Sequence, residues 1–120
     1  MPNFDRYSRQ ILVGQLGFAG QQQLAAARVL IVGMGGLGCQ VGAQLAGAGV
    51  GTLDLIDHDK VAASNLHRQI LFREGDIGAA KAGVAERELA NINSQVRVSG
   101  TVSRLSIDNV HPLVMAADLV

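Results

Sequence analysis

The 120 residues are the size of one domain, and a composition of 48% hydrophobic and 17% charged residues supports a buried core rather than disorder. Ten basic residues balance ten acidic ones and tryptophan is absent, which argues against a nucleic-acid surface, electrostatic or stacked, and against an anionic membrane surface. Cys39 is the only cysteine, so an internal disulfide is excluded, and no apolar run approaches the roughly 20 residues of a membrane helix.

The chain opens on Met1-Pro2-Asn3-Phe4-Asp5, which lacks the charged and then apolar pattern of a signal peptide, so a cytoplasmic location is expected. Residues 1–27 are expected to hold two short helices, one over Gln21 to Ala27, laid outside a sheet. Arg28-Val29-Leu30-Ile31-Val32 is a β-branched apolar run ending at Gly33 and reads as a strand buried on both faces. From Gly36 to Ala48 the pattern turns helical, with Leu37, Val41 and Leu45 four apart and Gly49 and Gly51 ending it. Thr52 to Ile56 is a second strand closed by Asp57, giving a β-α-β unit with a right-handed crossover.

A loop is then expected to about Gly78, followed by a helix with Ala82, Ala85, Leu89 and Ile92 on one face. Gln95 to Ser99 reads as a third strand, Asp108 as the cap of a short helix over Asn109 to Met115, and Asp118-Leu119-Val120 as the beginning of a fourth strand. The fold class predicted is α/β: a Rossmann-like, mostly parallel sheet with helices on both faces, preceded by the helical segment 1–27. The nucleotide-binding domain would be 28–120. Because the sequence stops on an apolar strand start, that domain is expected to be truncated at its C-terminus.

The turn Gly33-Met34-Gly35-Gly36-Leu37-Gly38 carries the chemistry. It follows a strand and opens a helix, which is the context a phosphate-binding turn requires. Gly33, Gly35, Gly36 and Gly38 permit a tight turn and close approach of backbone N–H groups to a phosphate at the positive end of the helix dipole. The plainer reading is a glycine turn that only packs a helix on a strand. Asp57 ends the second strand, and an acid there can accept both ribose hydroxyls. To this point NAD and ATP fit equally.

The following stretch favours ATP. Ser64-Asn65-Leu66-His67-Arg68-Gln69 is followed by Lys81 at the start of a helix. A dinucleotide pyrophosphate is served mostly by backbone N–H groups, whereas a triphosphate tail needs cations, and Arg68 with Lys81 supplies them. Asn65 can hydrogen-bond the polyphosphate and Asp59 can help hold Mg2+. Each cation alone reads as an ordinary surface charge; the combination with the turn and Asp57 does not. Cys39 reads as a small core residue. His58, His67 and His111 are not spaced as a metal cluster and read as surface or loop residues. Arg6-Tyr7-Ser8-Arg9-Gln10-Ile11 yields no function from spacing and reads as a surface helix end.

Taken in order, Arg6-Tyr7-Ser8-Arg9-Gln10-Ile11, the glycine turn, Ala48-Gly49-Val50-Gly51, Asp57-His58-Asp59, Ser64 to Gln69, and Gly78 with Lys81-Ala82 resemble the ThiF/MoeB/HesA family, relatives of the ubiquitin-activating enzymes. The resemblance covers nearly the whole chain. It implies an adenylyltransferase that uses MgATP to adenylylate the C-terminal glycine of a small ubiquitin-like sulfur-carrier protein, in thiamine or molybdopterin biosynthesis.

Residue by residue, the resemblance places Gly36 on the phosphates, Asp57 on the ribose, and Ser64, Asn65, Leu66, His67 and Arg68 in the nucleotide-binding segment. Lys81 becomes the phosphate lysine. Arg9 resembles an arginine inserted into a partner subunit's site, which implies a homodimer. The family's magnesium-binding aspartate and its Cys-x-x-Cys zinc pairs would follow Val120, so no metal ligand is assigned here and a structural Zn2+ is expected only beyond this chain. Three alternatives stand beside this reading. One is an NAD-binding Rossmann dehydrogenase domain, and another is a non-catalytic nucleotide-binding or dimerisation module. The last is a relative that activates a carboxylate on tRNA, for which the balanced charge gives no support.

Overall fold

The computed structural model describes residues 4–120; Met1, Pro2 and Asn3, the start of the expected 1–27 segment, lie outside the described residues. Three parallel strands form the sheet: β1 (Arg28–Val32), β2 (Thr52–Asp57) and β3 (Arg97–Val102), in the order β1-β2-β3. The register runs Val29 to Leu53 and Leu53 to Val98. The helices are α1 (Ser8–Ile11), α2 (Gly17–Ala26), α3 (Gly36–Ala48), α4 (Lys81–Ile92) and α5 (Ile107–Ala116).

The expected strand β1 is found over Arg28–Val32, but burial is confined to its three central residues, and Val32 is largely exposed. β2 is buried from Leu53 to Asp57, as befits a middle strand covered on both faces. β3 begins and ends later than the Gln95 to Ser99 expectation. Asn93 accepts the Gln95 amide in a turn, and Arg97 is the first residue that pairs with β2. Leu119 then pairs beside β1 as a parallel bridge: Leu30 donates to the Leu119 carbonyl at 2.9 Å and Asp118 to that of Arg28 at 2.8 Å. The chain therefore returns from β3 across the sheet to the far edge of β1. A right-handed return places α5 on the face opposite α3 and α4.

α3 differs from the sequence expectation in which face it buries. The stripe Leu37-Val41 points outward, with Leu37 85% exposed, and the buried residues are Cys39, Gly42 and Ala46. Small residues win that face because α3 lies tightly against α4: a Cβ added at Gly42 would sit 3.2 Å from Leu89 Cδ1. α4 buries Ala82, Val84, Ala85 and Leu89, whereas Ile92, expected on that face, is exposed at the helix end. Asp108 does not cap α5. The helix begins two residues earlier, at Ile107, and Asn109 Oδ1 accepts the Ser106 amide at 2.8 Å, leaving Asp108 in the first turn.

The N-terminal helices sit where α3 and α4 end. α2 is longer than expected and starts at Gly17. Gln10 and Gln21 both donate to the Ala48 carbonyl, at 2.8 and 3.0 Å, and Arg6 donates to that of Ile92 at 2.8 Å. Donors and a cation at helix C-termini satisfy the last carbonyls and complement the negative dipole end. Asn93, buried, donates to Tyr7 Oη and to the Ala46 carbonyl, which locks the N-terminal turn to both helices.

Candidate functional site

The glycine turn lies between β1 and α3 at the C-terminal edge of the sheet, as the topology of an open α/β sheet requires of a ligand crevice. Gly33 has φ +93°, a conformation that glycine adopts without strain. Gly38 is demanded by contact instead: a Cβ there would lie 2.0 Å from the Gly33 carbonyl oxygen. The turn is pinned from below by Asp57. Its Oδ2 accepts the Met34 amide and its Oδ1 the Asp59 amide, both at 2.7 Å. Each carboxylate oxygen has a second lone pair, so Asp57 retains acceptor capacity for a ribose while holding the turn.

The segment after β2 folds back over the turn. Ala63–Asn65 is a 3-10 turn in which Asn65 Oδ1 accepts the Ala62 amide at 3.0 Å, and the Asn65 carbonyl accepts those of Arg68 and Gln69. Leu66 is half-buried against the core and anchors the segment; Ser64 and His67 are exposed. Arg68 lies across Gly36, its Cδ 3.6 Å from where a Cβ at Gly36 would be, and borders a groove of about 580 Å³ with Leu37, Gln40 and Val41. Its Nη1 also reaches the Ser64 carbonyl at 3.2 Å.

Lys81 opens α4, and its amide donates to the Asp59 carbonyl at 3.0 Å. The residue is only 6% exposed, and among the described residues its ammonium has no ion pair. The Asp59 amide in turn bonds to the Asp57 carboxylate, so Lys81 and Asp57 share the C-terminal end of β2. Burial pushes the Cys39 thiol up from its ordinary value, so it is the inert core residue expected.

The structure thus brings Gly33, Gly35, Gly36, Gly38, Asp57, Asp59, Arg68 and Lys81 to one end of the sheet. Arg9 is not among them. Its neighbour Gln10 caps the far end of α3, and the 13 residues of that helix span about 20 Å. Arg9 is exposed there and cannot meet the turn of its own chain. A larger cavity of about 730 Å³, lined in part by Tyr7, Gln21, Gln95 and Arg97, lies at that same far end and holds none of the predicted residues.

The carboxylates of Asp57 and Asp59 and the His58 ring present ligand atoms within 4.8 Å of one another, a grouping not expected from the histidine spacing. Asp57 is engaged by two amides, and His58 Nε2 contacts Arg104 at 2.9 Å, so Asp59 is the exposed oxygen donor of the three. One exposed carboxylate beside the glycine turn is a donor of the kind Mg2+ takes, since that ion uses one or two carboxylates and fills its shell with water or phosphate. His67 and His111 are exposed, as expected. Sequence reasoning missed Arg104, which stands in no motif, and the burial of Gln69, which closes the Ser64 to Gln69 segment but is buried by packing that spacing does not encode.

The ThiF family model matches residues 7–120. This chain belongs to the ThiF family. Among relatives of this ThiF-family chain, the Escherichia coli sulfur carrier protein ThiS adenylyltransferase is 45% identical over 118 residues, covering 98% of this chain and 47% of the relative. The Mus musculus adenylyltransferase and sulfurtransferase MOCS3 is 49% identical over 115 residues, covering 96% and 25%. The chain therefore spans half or less of these relatives. Among solved structures, E. coli tRNA N6-threonylcarbamoyladenosine dehydratase, TcdA, in complex with ATP superposes with TM-score 0.87 at 31% identity, covering 95% of this chain and 46% of that one. E. coli MccB with ATP gives 0.78 at 40% identity, covering 89% and 32%. No helix of the described residues is long and apolar enough to cross a membrane.

Proposed function

We propose that this chain is the ATP-binding part of an adenylyltransferase that activates the C-terminal glycine carboxylate of a small ubiquitin-like sulfur-carrier protein, of the thiamine or molybdopterin biosynthesis type, in the cytoplasm. The observation that carries the reading is the meeting of two cationic residues at the glycine-turn end of the sheet: Arg68 lies across Gly36, and Lys81 opens α4 with its amide on the Asp59 carbonyl. Two cations at that end of the sheet suit the concentrated charge of a nucleotide polyphosphate. Relatives named for adenylyltransfer, and neighbours solved with ATP, support ATP over NAD.

In this reading the turn amides and the start of α3 hold the α-phosphate, and Asp57 holds the ribose. Arg68 and Lys81 neutralise the β- and γ-phosphates, with Asn65 as an additional donor. The carrier carboxylate attacks the α-phosphorus, the bond to the bridging oxygen breaks, and pyrophosphate departs with the electron pair. Acceleration comes from placement and charge neutralisation, and no side-chain nucleophile takes part. Asp59 would hold Mg2+, which would shield the polyphosphate. Arg9, remote from its own turn, serves the site of a second copy in a homodimer.

Calorimetric titration of this chain with MgATP and with NAD in parallel tests the proposal. Binding of MgATP alone is the expected result. Binding of NAD alone would replace the adenylyltransferase with a dehydrogenase domain.

A further inference from the structure

Gln69 is 3% exposed, and among the described residues its Oε1 is buried without a hydrogen-bond partner. Burying an unpaired carbonyl is unfavourable, and an apolar side chain of the same shape would avoid the cost. What the amide does have is a place. Its Nε2 lies 3.9 Å from where a Cβ at Gly35 would be, directly against the second glycine of the turn. In a strand-turn-helix phosphate site that glycine is where backbone and phosphate come closest. Arg68 and Gln69, consecutive in sequence, thus meet consecutive glycines: the cation lies across Gly36 and the neutral donor against Gly35. The backbone fixes this arrangement, since both amides bond to the Asn65 carbonyl, at 3.2 and 2.9 Å.

We propose that Gln69 is a nucleotide-binding residue whose side-chain N–H donates to the phosphoryl oxygen resting on the Gly33–Gly38 turn. This rests on the nucleotide reading above and adds a donor to it. The phosphate on the turn is the one that ATP and AMP share, so a neutral donor there serves both nucleotides. Arg68, in contrast, serves the tail that only ATP carries.

The test is Gln69→Met in this chain, with Gln69→Leu as a second apolar filling, read by thermal melting without nucleotide and by titration with MgATP and with AMP. The expected result is a Tm equal to or above that of the unchanged chain, with about tenfold weaker binding of both nucleotides, the worth of one hydrogen bond to a charged acceptor. Unchanged binding of both nucleotides would overturn the proposal. So would a lowered Tm in both variants, which would make the amide a structural group. A loss confined to MgATP would place Gln69 on the tail and overturn its assignment to the turn. If the unchanged chain bound neither nucleotide, the nucleotide reading would fall, and this inference with it.

Discussion

The Asp57 carboxylate accepts the Met34 amide at 2.7 Å, joining the end of β2 to the glycine turn that follows β1. Its other oxygen accepts the Asp59 amide at the same distance, so one side chain shapes both loops of the crevice. Asparagine has the same shape but one acceptor oxygen, so Asp57→Asn must set an NH2 group against one of the two amides. The expected cost is about 1–3 kcal/mol of stability, together with weakened nucleotide binding. Chemical denaturation and titration of the same variant measure both. Unchanged stability would mean that the two amide contacts do not hold the turn.

Arg68 spans Gly36 and carries the charge expected to meet the polyphosphate tail. Arg68→Ala should weaken MgATP by roughly 1.5–3 kcal/mol and AMP by much less. Equal losses for the two nucleotides would move the guanidinium away from the tail.

Lys81 is 6% exposed as a residue, and among the described residues its ammonium has no ion pair, so its charge is free to meet a polyphosphate. Lys81→Met keeps the length and removes the charge. The Tm without nucleotide should stay level or rise, while MgATP affinity drops by about tenfold or more. A lower Tm with intact MgATP affinity would show the lysine to be a structural residue.

Gly38 faces the Gly33 carbonyl so closely that a Cβ would lie 2.0 Å from the oxygen. Gly38→Ala must push α3 away from β1. A destabilisation of about 3 kcal/mol, or roughly 10 °C in Tm, is expected from overpacking at backbone. A thermal melt within a degree or two of the unchanged chain would show that the turn yields without strain.

Asp76 anchors the loop between β2 and α4 that carries Ser64 to Gln69. The Arg87 guanidinium, 2.8 Å away, and then the Arg73 amide hold its carboxyl below the usual carboxylate range. A lowered folded-state value makes the contribution complete above the unfolded value of about 4 and lost as pH falls through the folded one. Asp76→Asn should therefore lower Tm at neutral pH and flatten the decline of Tm below about pH 4. An unaltered acid limb would assign that decline to other carboxylates.

The sequence by itself determined the elements whose signal is local. β1, α3 and β2 were legible as an apolar run, a glycine turn and a second apolar run, because backbone conformation and burial of a middle strand follow from neighbouring residues. That the glycine turn, Asp57 and Lys81 share one end of the sheet was legible because each stands where a strand ends or a helix begins. Tertiary structure decided what depends on approach from elsewhere in the chain. α3 presents Leu37 and Val41 outward because Leu89, far along the chain, needs the small face of Gly42. Lys81 is buried and Arg9 is remote because the loop after β2 folds over the turn while α1 closes the opposite end of α3. The position of Gln69 against Gly35 arises the same way. Burial and proximity are properties of long-range packing, which residue spacing does not encode.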